Sequence, residues 1–226
     1  TAVAMVASVV VFAPLAALRW DVDPRVWPYV AVTSALQLTY FGLLAVAYGR
    51  AELSFVYPIA RGVAPVLVLA AGVVVLGTGA SRGQAAGGCL VGAGVILVRG
   101  LGARHDAVGL ALGLTIAGVI AAYTLVDKEG IRFADPIVYL ELGMAPAALA
   151  YAAVVVAAQR GTTRLRQAVR KAPIGAGLLS FAAYALVLAA LSRADAASVA
   201  AVRETSVLIA TGLAAWLLGE GVGRTR

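Results

Sequence analysis

The sequence has little charge, one cysteine and one histidine. Of its 226 residues, 13% are charged and 62% are hydrophobic, whereas ordinary soluble domains are about 25% charged and about 45–50% apolar. The single Cys89 excludes a disulfide framework within the chain and a zinc site built from several cysteines. The single His105 excludes a metal site built from several histidines. The composition therefore excludes a soluble globular domain, a disordered chain and a nucleic-acid-binding protein.

Acidic residues are scarcer than basic ones, with 11 Asp and Glu against 18 Lys and Arg, so the net charge is +7. This excess indicates basic loops beside a membrane and makes membrane lipid an expected partner. The sequence contains no HExxH or GxSxG motif and no pairing of a serine with a histidine. We therefore expect neither an enzyme nor a bound cofactor or metal.

Long apolar runs fill most of the chain. A bilayer core about 30 Å thick is spanned by about 20 apolar residues in a helix. The runs are too long for strands and apolar on every side, which favours helices. The sequence therefore predicts an all-α polytopic transmembrane helix bundle with eight helices here, at about residues 2–18, 26–48, 53–77, 83–99, 107–127, 135–158, 172–192 and 197–218.

Four charged residues lie within these apolar runs: Arg61, Glu141, Arg203 and Glu204. A charge at the bilayer centre costs about 2.5–3.5 kcal/mol on insertion scales, so each one needs a reason. Arg61 lies one helical turn after Tyr57, so both share a helix face. It could offer a donor to an anionic or zwitterionic solute, or it could reach the membrane surface or pair with an acid. Both interpretations stay open.

The other polar residues within the runs also have two interpretations. Arg203 and Glu204 could face a central cavity, with Glu204 exchanging protons, or they could form a fixed ion pair between helices. Glu141 lies six residues into its run, which favours the headgroup level over a cavity. Tyr123 could line a pathway or simply pack in the bundle. The same choice applies to three further residues: Gln37, Tyr40 and Tyr184.

Part of the sequence repeats at an offset of 142 residues, which places Arg61 on Arg203 and Leu76-Gly77 on Leu218-Gly219. A repeat of five helices would place its second copy upside down in the membrane. Inverted repeats of this kind are typical of secondary transporters. GxxxG patterns, as at Gly109 and Gly113, indicate close helix packing and leave a homodimer open.

Three segments resemble the EamA-type transporters of the drug/metabolite superfamily. The run LSFVYPIARGVAP at 53–65 looks like their fourth helix, AAYTLVDK at 121–128 like their sixth, and AVRETSVL at 201–208 like their ninth. The resemblance implies ten helices in two inverted EamA repeats, here at residues 1–102 and 103–226. The eight runs would be the second to ninth helices, which suggests a fragment lacking the first and last.

The resemblance also implies a function. We expect an integral membrane secondary transporter that moves a small metabolite across the inner (plasma) membrane of a bacterium by alternating access. Its substrate-binding residues would be Arg61, Arg203 and Glu204, with Tyr57 and Tyr123 as supporting contacts. The alternative is a non-transporting membrane subunit or scaffold, in which the buried charges only pair helices.

Overall fold

A computed structural model describes residues 2–51, 53–77, 81–84, 86–88, 90, 107–158, 169–206 and 209. The described residues form no strand beyond one isolated bridge and seven α-helices with described ends: α1 Ala2–Leu18, α2 Trp27–Arg50, α3 Leu53–Leu76, α4 Ala107–Gly130, α5 Pro136–Ala158, α6 Lys171–Leu191 and α7 Ala196–Arg203. Residues 82–84 and 86–88 are helical as well. Helices α2 to α6 are long and apolar enough to cross a membrane. The prediction of an all-α polytopic bundle is confirmed.

The helix ends follow the predicted runs with two differences. Helix α4 continues past the predicted end at 127 to Gly130. Helix α7 ends at Arg203, Glu204 lies in a turn, and Thr205 and Ser206 are helical again. The predicted run 197–218 is therefore interrupted at a candidate site residue. Most of this run after Ser206, and most of the predicted run 83–99, lies outside the described residues.

Aspartates begin three of the helical segments: Asp23, Asp135 and, at the start of α7, Asp195. The carboxylate of Asp23 accepts from the backbone N–H of Arg25 at the start of the short 3₁₀ helix Pro24–Val26, which leads into α2. Asp135 accepts from the N–H of Ile137 at 2.8 Å. Such caps satisfy N–H groups that have no partner inside the helix. Asp23 and Asp135 thus cap the helical segments that begin at Pro24 and Pro136.

Two loops meet at one end of the bundle. Val22 and Ala134 form an isolated antiparallel bridge, and the N–H of Asp23 donates to the carbonyl of Phe133 at 2.8 Å. The loop before α7 is at the same end, because Lys128 Nζ donates to the carbonyl of Ala194 at 2.9 Å. We call this end the bridged face; it contains residues 19–23, 131–135 and 192–195.

The bridged face fixes the direction of the helices around the candidate site. Helix α2 starts there and ends at the opposite face, so α3 starts at the opposite face. Helix α7 starts at the bridged face, after Asp195. Helices α3 and α7 therefore run antiparallel, and they pack against each other.

Glycines let several helices approach closely. A Cβ on Gly113 would lie 2.9 Å from Cγ2 of Ile59, so α3 and α4 touch along this line. A Cβ on Gly177 would overlap the backbone of Ala4, which brings α6 against α1. The close packing predicted from the GxxxG pattern is thus found at Gly113, whereas nothing in the described structure lies within 4 Å of a Cβ on Gly87.

Candidate functional site

Arg61 lies in the middle of α3, eight residues after the helix begins, which is about 12 Å along its axis. Two prolines, Pro58 and Pro65, lie inside this helix and remove backbone donors on either side of Arg61. The guanidinium carbon of Arg61 lies 5.9 Å from the centre of the Tyr57 ring, a cation–π distance. The predicted shared face of these two residues is confirmed.

Helix α7 brings Arg203 and Glu204 to the same depth from the other side. Arg203 lies seven residues after the start of α7, about 11 Å from the bridged face. Arg61 Nε is 3.2 Å from Glu204 Oε2, and Arg203 Nε is 3.5 Å from Glu204 Oε1. Three of the four charged residues that the sequence singled out are therefore joined, with both arginines paired to Glu204. We call Arg61, Arg203 and Glu204 the central cluster.

The central cluster has more positive than negative charge and unsatisfied polar atoms. Two guanidinium groups share one carboxylate, and the side chains of Arg61, Arg203 and Glu204 are only 19%, 10% and 18% exposed. Among the described residues, several of their buried atoms have no hydrogen-bond partner: Arg61 Nε, Arg203 Nε and Nη2, and both oxygens of Glu204. The ion pairs are close enough for attraction but are not aligned as hydrogen bonds. Buried polar groups are normally satisfied, so these atoms suit an additional ligand.

The predicted tyrosines differ in their surroundings. Tyr57 is 41% exposed, beside Arg61. Tyr123 is buried, within hydrogen-bonding reach of Arg203, and its ring meets those of Tyr40 and Tyr184 edge-on at 6.2 and 5.9 Å. The structure therefore brings Tyr57 and Tyr123 to different arginines of the central cluster.

A cavity adjoins the central cluster between α2, α3 and α4. Its polar lining includes Arg61 and the rings of Tyr40 and Tyr57, and the rest is apolar, from Leu44, Val56, Ala60, Ile116 and Ile120. The space is about the size of one water molecule, much smaller than the pockets that hold small-molecule ligands. The Arg61 side chain of the central cluster thus lines this cavity.

A second polar cluster, centred on Asp127, was missed by the sequence analysis. Asp127 lies inside α4 and is 1% exposed, so the count of four buried charges was wrong. Thr33 of α2 and Tyr139 of α5 donate hydroxyl hydrogen bonds to its Oδ1, the latter at 3.0 Å, and Tyr184 of α6 donates to Oδ2 at 2.6 Å. One carboxylate therefore collects a hydroxyl from each of three other helices. We call Asp127, Thr33, Tyr139 and Tyr184 the Asp127 cluster.

Two glycines make room for the Asp127 cluster. A Cβ on Gly130 would overlap the ring of Tyr139, and a Cβ on Gly143 would lie 2.7 Å from Cγ2 of Thr33. Both hydroxyl donors reach the carboxylate because these positions have no side chain. The hydrogen bonds of the Asp127 cluster therefore depend on glycine at one position in α4 and one in α5.

The family model for the EamA-like transporter family matches residues 107–226, which is more than half of the chain. The chain belongs to the EamA-like transporter family. The resemblance seen in the sequence is confirmed. No curated protein and no solved structure matches the chain.

Membership of the EamA-like family, together with five helices able to span a bilayer, identifies a multi-pass membrane protein of transporter type. The match includes α4 to α7, and so it contains Tyr123, Asp127, Arg203 and Glu204. Arg61 reaches this EamA region from α3, outside the matched residues. The division of the chain at residues 102 and 103 stays a prediction.

Glu141 of α5 is another buried acid within the matched residues. It is 8% exposed, and its Oε2 has no hydrogen-bond partner among the described residues. The headgroup position favoured by the sequence stays a prediction. No group of three His, Cys, Asp or Glu residues in the described part of the chain is arranged to hold a metal ion.

Proposed function

We propose that this EamA-family protein is a secondary transporter that moves a small anionic or zwitterionic metabolite by alternating access. The central cluster of Arg61, Arg203 and Glu204 would bind the substrate, with Tyr57 and Tyr123 as supporting contacts. No enzymatic role and no cofactor belongs to this proposal. The bacterial inner membrane is the proposed location, with lipid as a partner and a homodimer left open.

The observation that carries the proposal is the uncompensated charge of the central cluster. Arg61 and Arg203 share the single carboxylate of Glu204, and polar atoms of all three are buried without a hydrogen bond in the described structure. A buried charge is costly in the membrane unless it is paired. An anionic group of a substrate would supply the missing negative charge and accept hydrogen bonds from the free N–H groups.

The helices that carry the cluster support the same proposal. Helix α3 contains Pro58 and Pro65, and helix α7 ends at Arg203. Broken helices near the middle of the bilayer often form transporter binding sites, because freed backbone groups and helix ends face the substrate. The antiparallel course of α3 and α7, with Arg61 and Arg203 at equivalent positions, fits two inverted five-helix repeats at 1–102 and 103–226.

A non-transporting scaffold is the second candidate, and one contact favours it. The Arg61–Glu204 ion pair at 3.2 Å joins α3 to α7 and could serve only to hold these helices together. The two candidates differ in what they expect of a neutral substitution. A scaffold needs the helices joined, whereas a transporter needs the excess positive charge.

Transport assays with Arg61→Gln can separate the two. The natural full-length protein and its variants would be reconstituted into lipid vesicles and tested for uptake of labelled amino acids and dicarboxylates. Arg61→Gln leaves Arg203 paired with Glu204, so the bundle should stay folded while uptake falls at least tenfold. Arg50→Gln, at the exposed end of α2, is the matched control and should transport normally.

Uptake by Arg61→Gln at the same rate as the control would reject the site. Binding provides a second measurement that does not depend on vesicles. A ligand that binds only the folded protein raises its unfolding temperature. The transported solute should stabilise the purified natural protein and the Arg50→Gln control, but not Arg61→Gln.

A further inference from the structure

Asp127 is a buried acid without a cationic partner in the described structure. It is 1% exposed, three residues before the end of α4 and so about 5 Å inside the bridged face. Its three hydrogen-bond donors are hydroxyls, which are neutral. Burial of a carboxylate among neutral groups makes its charged form costly, and intramembrane acids of this kind mark proton relays.

The groups around Asp127 come from four other helices. Thr33 faces it from α2, Tyr139 from α5 and Tyr184 from α6, while Arg203 of α7 acts on it electrostatically and Tyr123 lies one turn away on α4. The neighbouring Lys128 is engaged elsewhere, since its ammonium donates to the backbone carbonyls of Leu191 and Ala194. A change of charge on Asp127 would therefore mainly change the hydrogen bonds of the surrounding hydroxyl groups.

We propose that Asp127 is a proton-binding site whose occupancy sets how α2, α5 and α6 pack at the bridged face. An ionised carboxylate accepts all three hydroxyl hydrogen bonds. When a proton from the solvent binds one oxygen, that oxygen becomes an O–H donor, and the hydroxyl in line with the new O–H must accept instead of donating. Protonation thus reverses at least one of the three hydrogen bonds that join α2, α5 and α6 to α4, and it weakens the packing of these helices on α4.

A small cavity adjoins Asp127 on one side, and a row of tyrosine rings leads from it towards Arg203 on the other. The cavity is lined by Asp127, Thr33, Gln37 and Tyr184, which are groups that a water molecule can bridge. In the other direction, Tyr184 contacts Tyr123, and Tyr123 lies within reach of Arg203. This inference rests on the proposed function only where it assigns the proton as the coupling ion of transport. The proton site itself does not depend on it.

Infrared difference spectroscopy of the purified protein in lipid would test the site directly. The carbonyl-stretch band of a protonated Asp127 should appear as pH falls in the natural protein and be missing in Asp127→Asn, so the difference between the two spectra separates it from the bands of other acids such as Glu141. Glu129→Gln is the matched control, because Glu129 is two residues away and 38% exposed beside Arg132. This control should keep the band. A band that Asp127→Asn leaves unchanged would overturn the proposal.

A second variant keeps the test valid if Asp127→Asn does not fold. Tyr184→Phe removes one donor to the ionised carboxylate, a hydrogen bond worth about 1.5–3 kcal/mol for a charged group. The band of Asp127 should then appear at a pH about one to two units higher. An unchanged midpoint would show that protonation is not linked to the hydroxyl ties, contrary to the proposal.

Hydrogen–deuterium exchange measures the consequence for packing. Below the midpoint of the band, backbone amides at the bridged-face ends of α2, α5 and α6 should exchange faster in the natural protein, and no such pH step should occur in Asp127→Asn. An identical step in both proteins would reject the packing role. These measurements use no substrate, so they stand even if Arg61→Gln shows that the transport proposal is wrong.

Discussion

The central cluster and the Asp127 cluster are both buried and polar, yet they satisfy their polar atoms differently. Arg61, Arg203 and Glu204 are charged groups in contact, and several of their atoms have no hydrogen-bond partner in the described structure. Asp127 has one charged group and three neutral donors, which use both of its oxygens. The first cluster has groups left over for a ligand, whereas in the second the protein supplies donors to both carboxylate oxygens.

This difference indicates different roles. A cluster with free donors and excess positive charge offers hydrogen bonds and charge to an anion. A carboxylate held by neutral hydroxyls responds to a proton by changing the direction of its own hydrogen bonds. Substitutions that alter the charge balance should therefore affect the central cluster most, and substitutions that remove hydroxyls or space should affect the Asp127 cluster.

Glu204→Gln should have the largest effect. It leaves Arg61 and Arg203 without their shared carboxylate, and breaking a buried ion pair costs about 3–5 kcal/mol. Arg61→Gln should cost less, because Arg203 and Glu204 remain paired. Unfolding of both variants in detergent measures the difference. Equal losses would show that the charge balance of the cluster is not what stabilises it.

Thr33→Val should have the next largest effect. It removes a hydroxyl donor to the buried carboxylate of Asp127, which we expect to cost about 1.5–3 kcal/mol. Thr39→Val on the same helix is the control, because the Thr39 hydroxyl is exposed and bonds only to the backbone carbonyl of Ala35. Chemical unfolding should separate the two variants. If both are as stable as the natural protein, the hydroxyl ties contribute nothing measurable.

Gly130→Ala tests the space rather than the hydrogen bonds of the Asp127 cluster. The added methyl group overlaps the Tyr139 ring, and overpacking of this kind costs about 1–3 kcal/mol. Gly42→Ala in α2 is the matched control, since nothing lies within 4 Å of its added Cβ in the described structure. The control should be neutral or stabilising, as alanine favours helix over glycine. A stable Gly130→Ala would contradict the close approach of Tyr139.

The smallest effect concerns the cap that positions the central cluster. Asp195 accepts from the N–H of Ser198 at 2.8 Å at the start of α7. Partial burial opposes ionisation, but the hydrogen bonds from Ser198 hold the pKa of Asp195 below its usual range. Its stabilisation is therefore complete above the unfolded-state pKa of about 4 and is lost as pH falls through the lower folded-state value.

Asp195→Ala should thus cost about 1 kcal/mol near neutral pH and progressively less in acid. Thermal unfolding across this pH range provides the measurement. Asp195→Asn should keep most of the stability, because asparagine also caps helices, and it should lack the pH dependence. A cost for Asp195→Ala that is the same at every pH would argue against a charged cap.

The sequence predicts the central cluster better than the Asp127 cluster for a physical reason. Arg61, Arg203 and Glu204 are charges in the middle of apolar runs, so the cost of burying them is visible without a structure. Their mutual contact joins residues from different helices, and only the repeated position of Arg61 and Arg203 pointed to it. The interruption at Glu204 has no sequence signal, since neither proline nor glycine is present there.

Asp127 was missed because its neighbours resemble a loop. The consecutive charges of Asp127, Lys128 and Glu129 ended the predicted run, whereas the helix continues to Gly130. Tertiary contacts satisfy each charge: hydroxyls bind Asp127, carbonyls accept from Lys128, and Arg132 pairs with Glu129 at 2.8 Å. These partners lie on several helices or in the next loop, so local sequence could not reveal them. The glycine at 130, just before a loop, was the available signal.

The backbone bridge between Val22 and Ala134 has a mechanical consequence. The loop with Val22 belongs to the first predicted repeat and the loop with Ala134 to the second, so the bridge fastens the two halves together at one membrane surface. Any motion that parts these two loops at that surface must first break these backbone hydrogen bonds. The described conformation is therefore held closed between these two loops on the bridged side.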